Sequence, residues 1–170
     1  MLRDLKIRAE CRGDASAIGD VIRTAFFGMP YAAGDEAELV ETLRRENALS
    51  VSLVAELAGA VVGQIVFSPA QAADGTQPWY ALGPVAVVAA LQRTGIGTRL
   101  VHAGLQAIAG LGARGCILTG DPAYYTRFGF ELSPPNVPAG EPPEFFMLKL
   151  LGPHRPTGPV LFHTAFNSST

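Results

Sequence analysis

Residues 84–100 read Pro84-Val-Ala-Val-Val-Ala-Ala-Leu-Gln-Arg-Thr-Gly95-Ile-Gly97-Thr-Arg-Leu100, and the fold turns on how this stretch is read. An apolar strand runs into a short turn carrying glycine, and an amphipathic segment follows at once. The first turn of a helix offers backbone N–H groups that have no partner in the helix, together with a partial positive charge of about half a unit. Glycines at 95 and 97 remove the Cβ atoms that would hold an anion away from those groups. The geometry suits a diphosphate, which points to a nucleotide-bearing cofactor; a tight strand-to-helix turn without a ligand is the plainer alternative.

Two other phosphate loops fail. A Walker loop requires a Gly-Lys pair, and the chain has none. The dinucleotide pattern Gly-x-Gly-x-x-Gly occurs as Gly110-Leu-Gly-Ala-Arg-Gly115. It follows a helical pattern and precedes the strand-like Cys116–Thr119, the reverse of the order that pattern needs, and so reads as a helix end and turn.

A second punctuated segment, Gly120-Asp-Pro-Ala-Tyr-Tyr-Thr-Arg-Phe-Gly-Phe130, lies about thirty residues further on. Asp121 suits an N-cap, Pro122 the first helical position and Gly129 the residue after a helix, which brackets a short helix of about two turns. Tyr125 stands four residues before Gly129. Tyr124 points roughly 100° round the helix from it.

These two segments together resemble the GNAT superfamily of acyl-CoA-dependent N-acetyltransferases. Its cofactor loop, Gln/Arg-x-x-Gly-x-Gly/Ala, is matched by Gln92-Arg-Thr-Gly95-Ile-Gly97, and its later Tyr-x-x-x-Gly-Phe by Tyr125-Thr-Arg-Phe-Gly129-Phe130. The wording around both motifs, with Leu-Gly-Pro-Val-Ala-Val before the loop, resembles a bacterial YhbS-like branch. The likeness extends from the first strand to about Phe166.

The resemblance implies acetyl-CoA as co-substrate and an amine as acceptor. It implies that the backbone of Val85, Ala86 and Val87 pairs with the pantetheine arm. It places Gln92, Arg93, Thr94, Gly95, Ile96, Gly97 and Thr98 around the diphosphate, and Tyr125 beside the thioester sulfur as general acid, with Tyr124 as the fallback. Many members carry an Asn on the fifth strand, where this chain has Leu118-Thr119-Gly120-Asp121; the contact usual there is in doubt, and Asp121 reads as a cap. A non-catalytic acyl-CoA sensor and an unrelated α/β nucleotide-binding protein are the competing readings.

Length and composition fit a soluble globular protein of one domain spanning 1–170. The chain has 48% apolar and 16% charged residues, with a net charge of −2 that offers no handle for nucleic acid. The apolar run Ala81–Leu91 is broken by Gly83 and Pro84 and falls short of the roughly 20 residues of a membrane span. Arg3, Asp4, Lys6 and Arg8 interrupt the start where a secretion signal would need an apolar core. Cys11 and Cys116 fit no metal spacing and read as reduced thiols. Together these readings lead us to expect a cytoplasmic protein, monomeric or homodimeric.

Patterning along the chain predicts strands at Leu5–Glu10, Ser50–Glu56, Ala60–Ser68, Trp79–Val88, Cys116–Thr119, Phe145–Leu151 and Gly158–Phe162. It predicts helices from Asp14, over Asp35–Asn47, over Thr98–Ala109, and at the tyrosines. This is a mixed α/β order, α+β in detail, closed by a terminal hairpin; the resemblance implies a mostly antiparallel sheet of about six to seven strands flanked by about four helices. The acceptor would be walled by Phe27, Met29 and Tyr31 of the loop after the first helix, by Glu36, and by the connection Gly152–Gly158. Glu36, Glu38 and Glu41 read as a solvated helix face before they read as a general base. His102, His154 and His163 have no partner at catalytic spacing.

Overall fold

The computed structural model describes residues 2–29 and 34–167. The elements run in the order β1 (Lys6–Ala9), α1 (Ala15–Phe26), α2 (Glu36–Arg45), β2 (Val51–Leu57), β3 (Ala60–Ala72), β4 (Trp79–Val87), α3 (Ile96–Gly110), β5 (Gly115–Thr119), α4 (Pro122–Tyr125), β6 (Glu131–Leu132), β7 (Phe146–Leu150) and β8 (Val160–Leu161). The sheet has eight strands in the order β1-β2-β3-β4-β5-β7-β6, with β8 paired to the far end of β3. Every pairing is antiparallel except β4 with β5.

Alternation along the strands divides the core between the faces of the sheet. Ile65, Phe67, Leu82 and Val87 face α3, where Leu100, Val101, Leu105 and Ile108 cover them. Val54, Val66 and Ala86 face the other way, under Ile18, Val21 and Ile22 of α1 and Val40 of α2. Further along that second face, Trp79, Ala81, Ile117, Phe146, Leu148 and Val160 form an apolar patch closed by Val137 and Phe162.

The helix ends follow the sequence closely in some places. Asp121 caps α4, its Oδ1 accepting the Ala123 N–H at 2.9 Å, and Gly129 follows with φ +90°. Gly112, with φ +82°, lies in the turn after α3, so Gly110–Gly115 is the helix end and turn expected. Asp14 does not cap α1. Its carboxylate accepts instead from Arg8 Nη1 at 2.8 Å and from the Cys11 N–H at 2.6 Å, and the Arg8 guanidinium holds that carboxyl below the usual range.

Three expectations need correction. β3 continues past Ser68 to Ala72 although Pro69 lies inside it. On the edge away from β4 its pairing with β2 ends at Phe67 and its pairing with β8 begins at Gln71, so Pro69, paired with Tyr80 of β4, falls in the gap between the two outer partners. The terminal hairpin does not form: β7 has β5 on one edge and β6 on the other, so the chain crosses over and β8 joins β3. The strand β6, two residues long, makes the eighth.

Candidate active site

β4 pairs with β5 only at Trp79, Ala81 and the Tyr80 between them, opposite Gly115–Ile117. It then runs on to Val87 with β3 alone beside it. The divergence begins at a bulge. Leu82 faces Phe67 and Val85 faces Ile65, which leaves one extra residue on β4 at Gly83-Pro84. Gln64 is fully buried beneath it and donates from Nε2 to the Pro84 carbonyl at 3.2 Å. Beyond the bulge, one edge of β4 at Val85–Val87 is without a strand partner among the described residues.

That free edge leads into the glycine turn. Gln92 Nε2 donates to the Val87 carbonyl at 2.9 Å, and Thr94 Oγ1 donates to the Leu91 carbonyl at 2.5 Å, so the loop is tied back to the strand it leaves. Arg93 has φ +66° and Gly95 φ +95°, and α3 starts directly after Gly95. The N–H groups of Ile96, Gly97 and Thr98 occupy the first helical turn, where no intrahelical acceptor exists. A Cβ at Gly95 would meet nothing within 4 Å. At Gly97 it would meet only the Tyr124 hydroxyl, 3.3 Å away, and Val87 at 3.9 Å. Arg93 and Arg99 are exposed on either side. The turn is thus an open, positively flanked cradle, and its shape fits an anion held by backbone N–H groups.

The two tyrosines of α4 part company. Tyr124 carries its hydroxyl to the first turn of α3, with the Arg127 guanidinium stacked 4.6 Å over its ring. Tyr125 turns into the core beside Leu118, its ring among those of Tyr124, Phe128 and Phe130 at 4.9, 6.3 and 6.0 Å. Burial raises its phenol above the ordinary value, the nearby Tyr124 adding to the effect. The hydroxyl is held protonated with no hydrogen-bond partner among the described residues. Gly120 makes room for it: a Cβ there would lie 2.7 Å from the Tyr125 ring. Sequence reasoning took Tyr124 as a spare and missed its contact with α3; the adjacent pair of tyrosines was the available signal.

The residues expected to wall the acceptor are less gathered. Phe27 ends α1 with its ring 87% exposed, Glu36 opens α2, and Tyr31 lies outside the described residues. Neither Phe27 nor Glu36 belongs to the cluster around Tyr125. The histidines are engaged in packing or left at the surface: His102 stands edge-on to Phe128 at 5.1 Å, His163 Nδ1 accepts the Ala165 N–H at 3.0 Å, and His154 is exposed. The Cys116 thiol is buried and pushed up by desolvation, which leaves it inert.

Two concavities, of about 360 and 540 Å³, lie elsewhere, and their charges are already matched. In one, Arg44 pairs with Glu10 at 2.8 Å; in the other, Arg8 pairs with Asp14 at 2.8 Å. Among the described residues there is no cluster of three or more His, Cys, Asp or Glu able to hold a metal, and no helix is long and apolar enough to cross a membrane.

A free strand edge opening onto a glycine-lined helix start, with a tyrosine helix beside it, defines an acyltransferase of the GNAT type. Residues 19–130 match the acetyltransferase (GNAT) family, and the chain belongs to it. It is 35% identical over 128 residues to the N-acetyltransferase YhbS of Escherichia coli K12, covering 75% of this chain and 74% of that one. A crystal structure of a GNAT acetyltransferase from Brucella melitensis, in complex with acetyl-CoA, superposes with a TM-score of 0.85 at 42% identity, covering 95% of this chain and 97% of that chain. The E. coli YhbS structure, in complex with CoA, gives 0.86 at 31% identity, with 96% and 92% covered.

Proposed function

We propose that this protein moves an acetyl group from acetyl-CoA to a primary amine by direct transfer. The observation that carries the reading is the unpaired edge of β4 at Val85–Val87, continuous with the Gly95–Gly97 cradle and flanked by a phenol kept protonated. The backbone N–H groups of Arg93–Thr98 hold the diphosphate, and those of Val85–Val87 pair with the pantetheine amides and polarise the thioester carbonyl, where preorganised donors have most effect. Gln92 fixes the strand end that presents them. The two Brucella and E. coli relatives, crystallised with acetyl-CoA and CoA, support the choice of ligand.

The chemistry divides into three demands. The acceptor must be neutral, and an alkylamine of pKa about 10.4 is not neutral at pH 7. Donor and acceptor must be held together, which alone is worth effective molarities of about 10⁵ M or more. The departing thiolate must be protonated, and Tyr125 supplies that proton. On the acceptor side, Phe27 after α1 and Glu36 at the start of α2 are the residues that would border the amine.

Thiol release from acetyl-CoA, screened over small amines, aminoglycosides and short peptides, tests the reading. Amine-dependent release is expected, with Tyr125→Phe lowering kcat by roughly 10²-fold and leaving acetyl-CoA affinity within about twofold. A wild-type protein that binds acetyl-CoA and turns over no amine sinks the transferase reading. An unchanged kcat in Tyr125→Phe removes that residue from the mechanism.

A further inference from the structure

We infer that Glu141 is the group that takes the proton from the incoming amine; the inference rests on the transferase reading above. Glu141 lies in the Pro-rich connection between β6 and β7, far in sequence from either motif. Thr119, the last residue of β5, donates from Oγ1 to Glu141 Oε1 at 2.8 Å. Its other oxygen, Oε2, has no partner among the described residues.

The backbone holds this carboxylate firmly. The Glu141 N–H donates to the Pro138 carbonyl at 3.2 Å, the N–H groups of Phe145 and Phe146 both donate to the Pro142 carbonyl at 3.1 Å, and the Gly120 N–H donates to the Phe145 carbonyl at 2.9 Å. The connection is stitched to the end of β5 on the C-terminal side of Glu141, and turns back on itself on the other.

The register places it at the divergence. The β4–β5 ladder ends at Ala81–Ile117, so Thr119 stands two residues beyond the last pair, where β4 has already bent away. The faces are settled by alternation. Leu118 points to the α3 side, where Tyr125 packs beside it. Ile117 points to the opposite side, and Thr119 shares that side, facing Phe146 across the β7 ladder. Tyr125 and Glu141 therefore flank the gap from opposite faces. Direct transfer needs this division: the phenol serves the thiolate, and the carboxylate serves the nitrogen that approaches from the other side.

Other carboxylates nearby are committed or further out. Asp121 caps α4, and Glu144 is exposed along the same connection. Lys149 of β7 reaches the other face, toward Gly129.

The proton balance is complete without a further reagent. Glu141 takes one proton from the ammonium and releases it to solvent over the exposed rim. The neutral amine attacks the carbonyl carbon, the C–N bond forms and the C–S bond breaks. Tyr125 protonates the thiolate, the surplus proton on the new amide nitrogen leaves by Glu141, and the tyrosinate recovers a proton from solvent. One proton is released per turnover.

The test compares 1,4-diaminobutane, an ammonium at pH 7, with hydroxylamine, a nucleophile that is largely neutral there and needs no base. For Glu141→Gln the expected result is a fall of roughly 10²-fold or more in kcat with the diamine, a much smaller fall with hydroxylamine, and unchanged acetyl-CoA affinity. Its rate with the diamine should also climb with pH in step with the free-base fraction, where wild type levels off. Thr119→Val should lie between the two and Thr119→Ser should restore the rate, which a merely structural role would not produce.

A Glu141→Gln enzyme with the wild-type diamine rate and pH profile, or equal losses on both nucleophiles, overturns the assignment while leaving the transferase reading intact. A wild-type enzyme that takes hydroxylamine but not the diamine overturns it too. Wild type inert to both nucleophiles and to every amine of the wider panel instead sinks the transferase reading, and this inference with it.

Discussion

The start and the middle of one helix use glycine for opposite purposes. At the start of α3, Gly95 leaves space that nothing within 4 Å fills, and Gly97 space that only the tip of Tyr124 and a Val87 methyl approach. Two turns later, Gly104 leaves space that Phe67 fills completely: a Cβ there would come within 2.2 Å of its ring. Gly115 repeats the second case, its Cβ position lying 2.4 Å from the Trp79 ring and 2.6 Å from the Lys149 carbonyl. The same residue type thus marks open surface in one place and, in another, a point where packed elements must nearly touch. Only the structure tells the two apart.

The contrast can be broken by methyl groups. Gly104→Ala should cost about 1–3 kcal/mol by overpacking, toward the upper end because an aromatic ring must move. Thermal unfolding would read this as a loss of about 2–4 °C per kcal/mol; an unchanged Tm would mean Phe67 has room to retreat. Gly97→Ala should do the reverse. The added methyl meets only the movable tip of Tyr124 and removes a flexible residue from a helix, so stability should hold or rise by a few tenths of a kcal/mol. The loop pattern also takes Ala at this position, so acetyl-CoA affinity should change little in Gly97→Ala, whereas Gly97→Leu, whose side chain fills the cradle, should lower it by about tenfold or more, equivalent to about 1.4 kcal/mol. Normal affinity in Gly97→Leu would show that the open space is not used by the ligand.

The smallest effect sharpens the comparison from the filled side. The Tyr125 phenol titrates above its unfolded value because folding buries it. The unfolded chain therefore loses this proton first as pH rises past the ordinary phenol value of about 10. Stability tied to Tyr125 is fully present below that pH and declines from there toward the raised native value. Urea unfolding should show wild type losing stability faster than Tyr125→Phe above pH 10, with no divergence at pH 8; parallel curves would mean that the hydroxyl is solvated.

What was legible in the sequence was whatever is written locally. The strand, turn and start of α3 are punctuated by Gly95 and Gly97, and α4 by Asp121, Pro122 and Gly129, so both could be placed without a structure. Pro69 misled for the same reason, because local chemistry cannot say that β3 changes partners just where the proline sits. The false terminal hairpin arose because β7 and β8 are neighbours in sequence while their partners are remote. β6, at two residues, is too short to carry a period. Glu141 was invisible for a different reason. Its significance lies in Thr119, 22 residues earlier, and a carboxylate in a Pro-rich connection looks like any exposed loop charge.

The bulge at Gly83-Pro84 has a consequence for how the molecule coexists with its neighbours. A free strand edge invites pairing with another polypeptide, and proteins blunt such edges. Here β1 and β6 close the sheet with strands of four and two residues, and Pro69 and β8 guard the outer side of β3. The edge of β4 beyond the bulge escapes this treatment: its ladder with β5 ends at Ala81, and Val85–Val87 pair with β3 alone. A slender molecule bearing two amide groups can enter and pair as a strand would. In the reading proposed above, acetyl-CoA is that molecule, a partner that takes the place of a strand and cannot itself go on to recruit another.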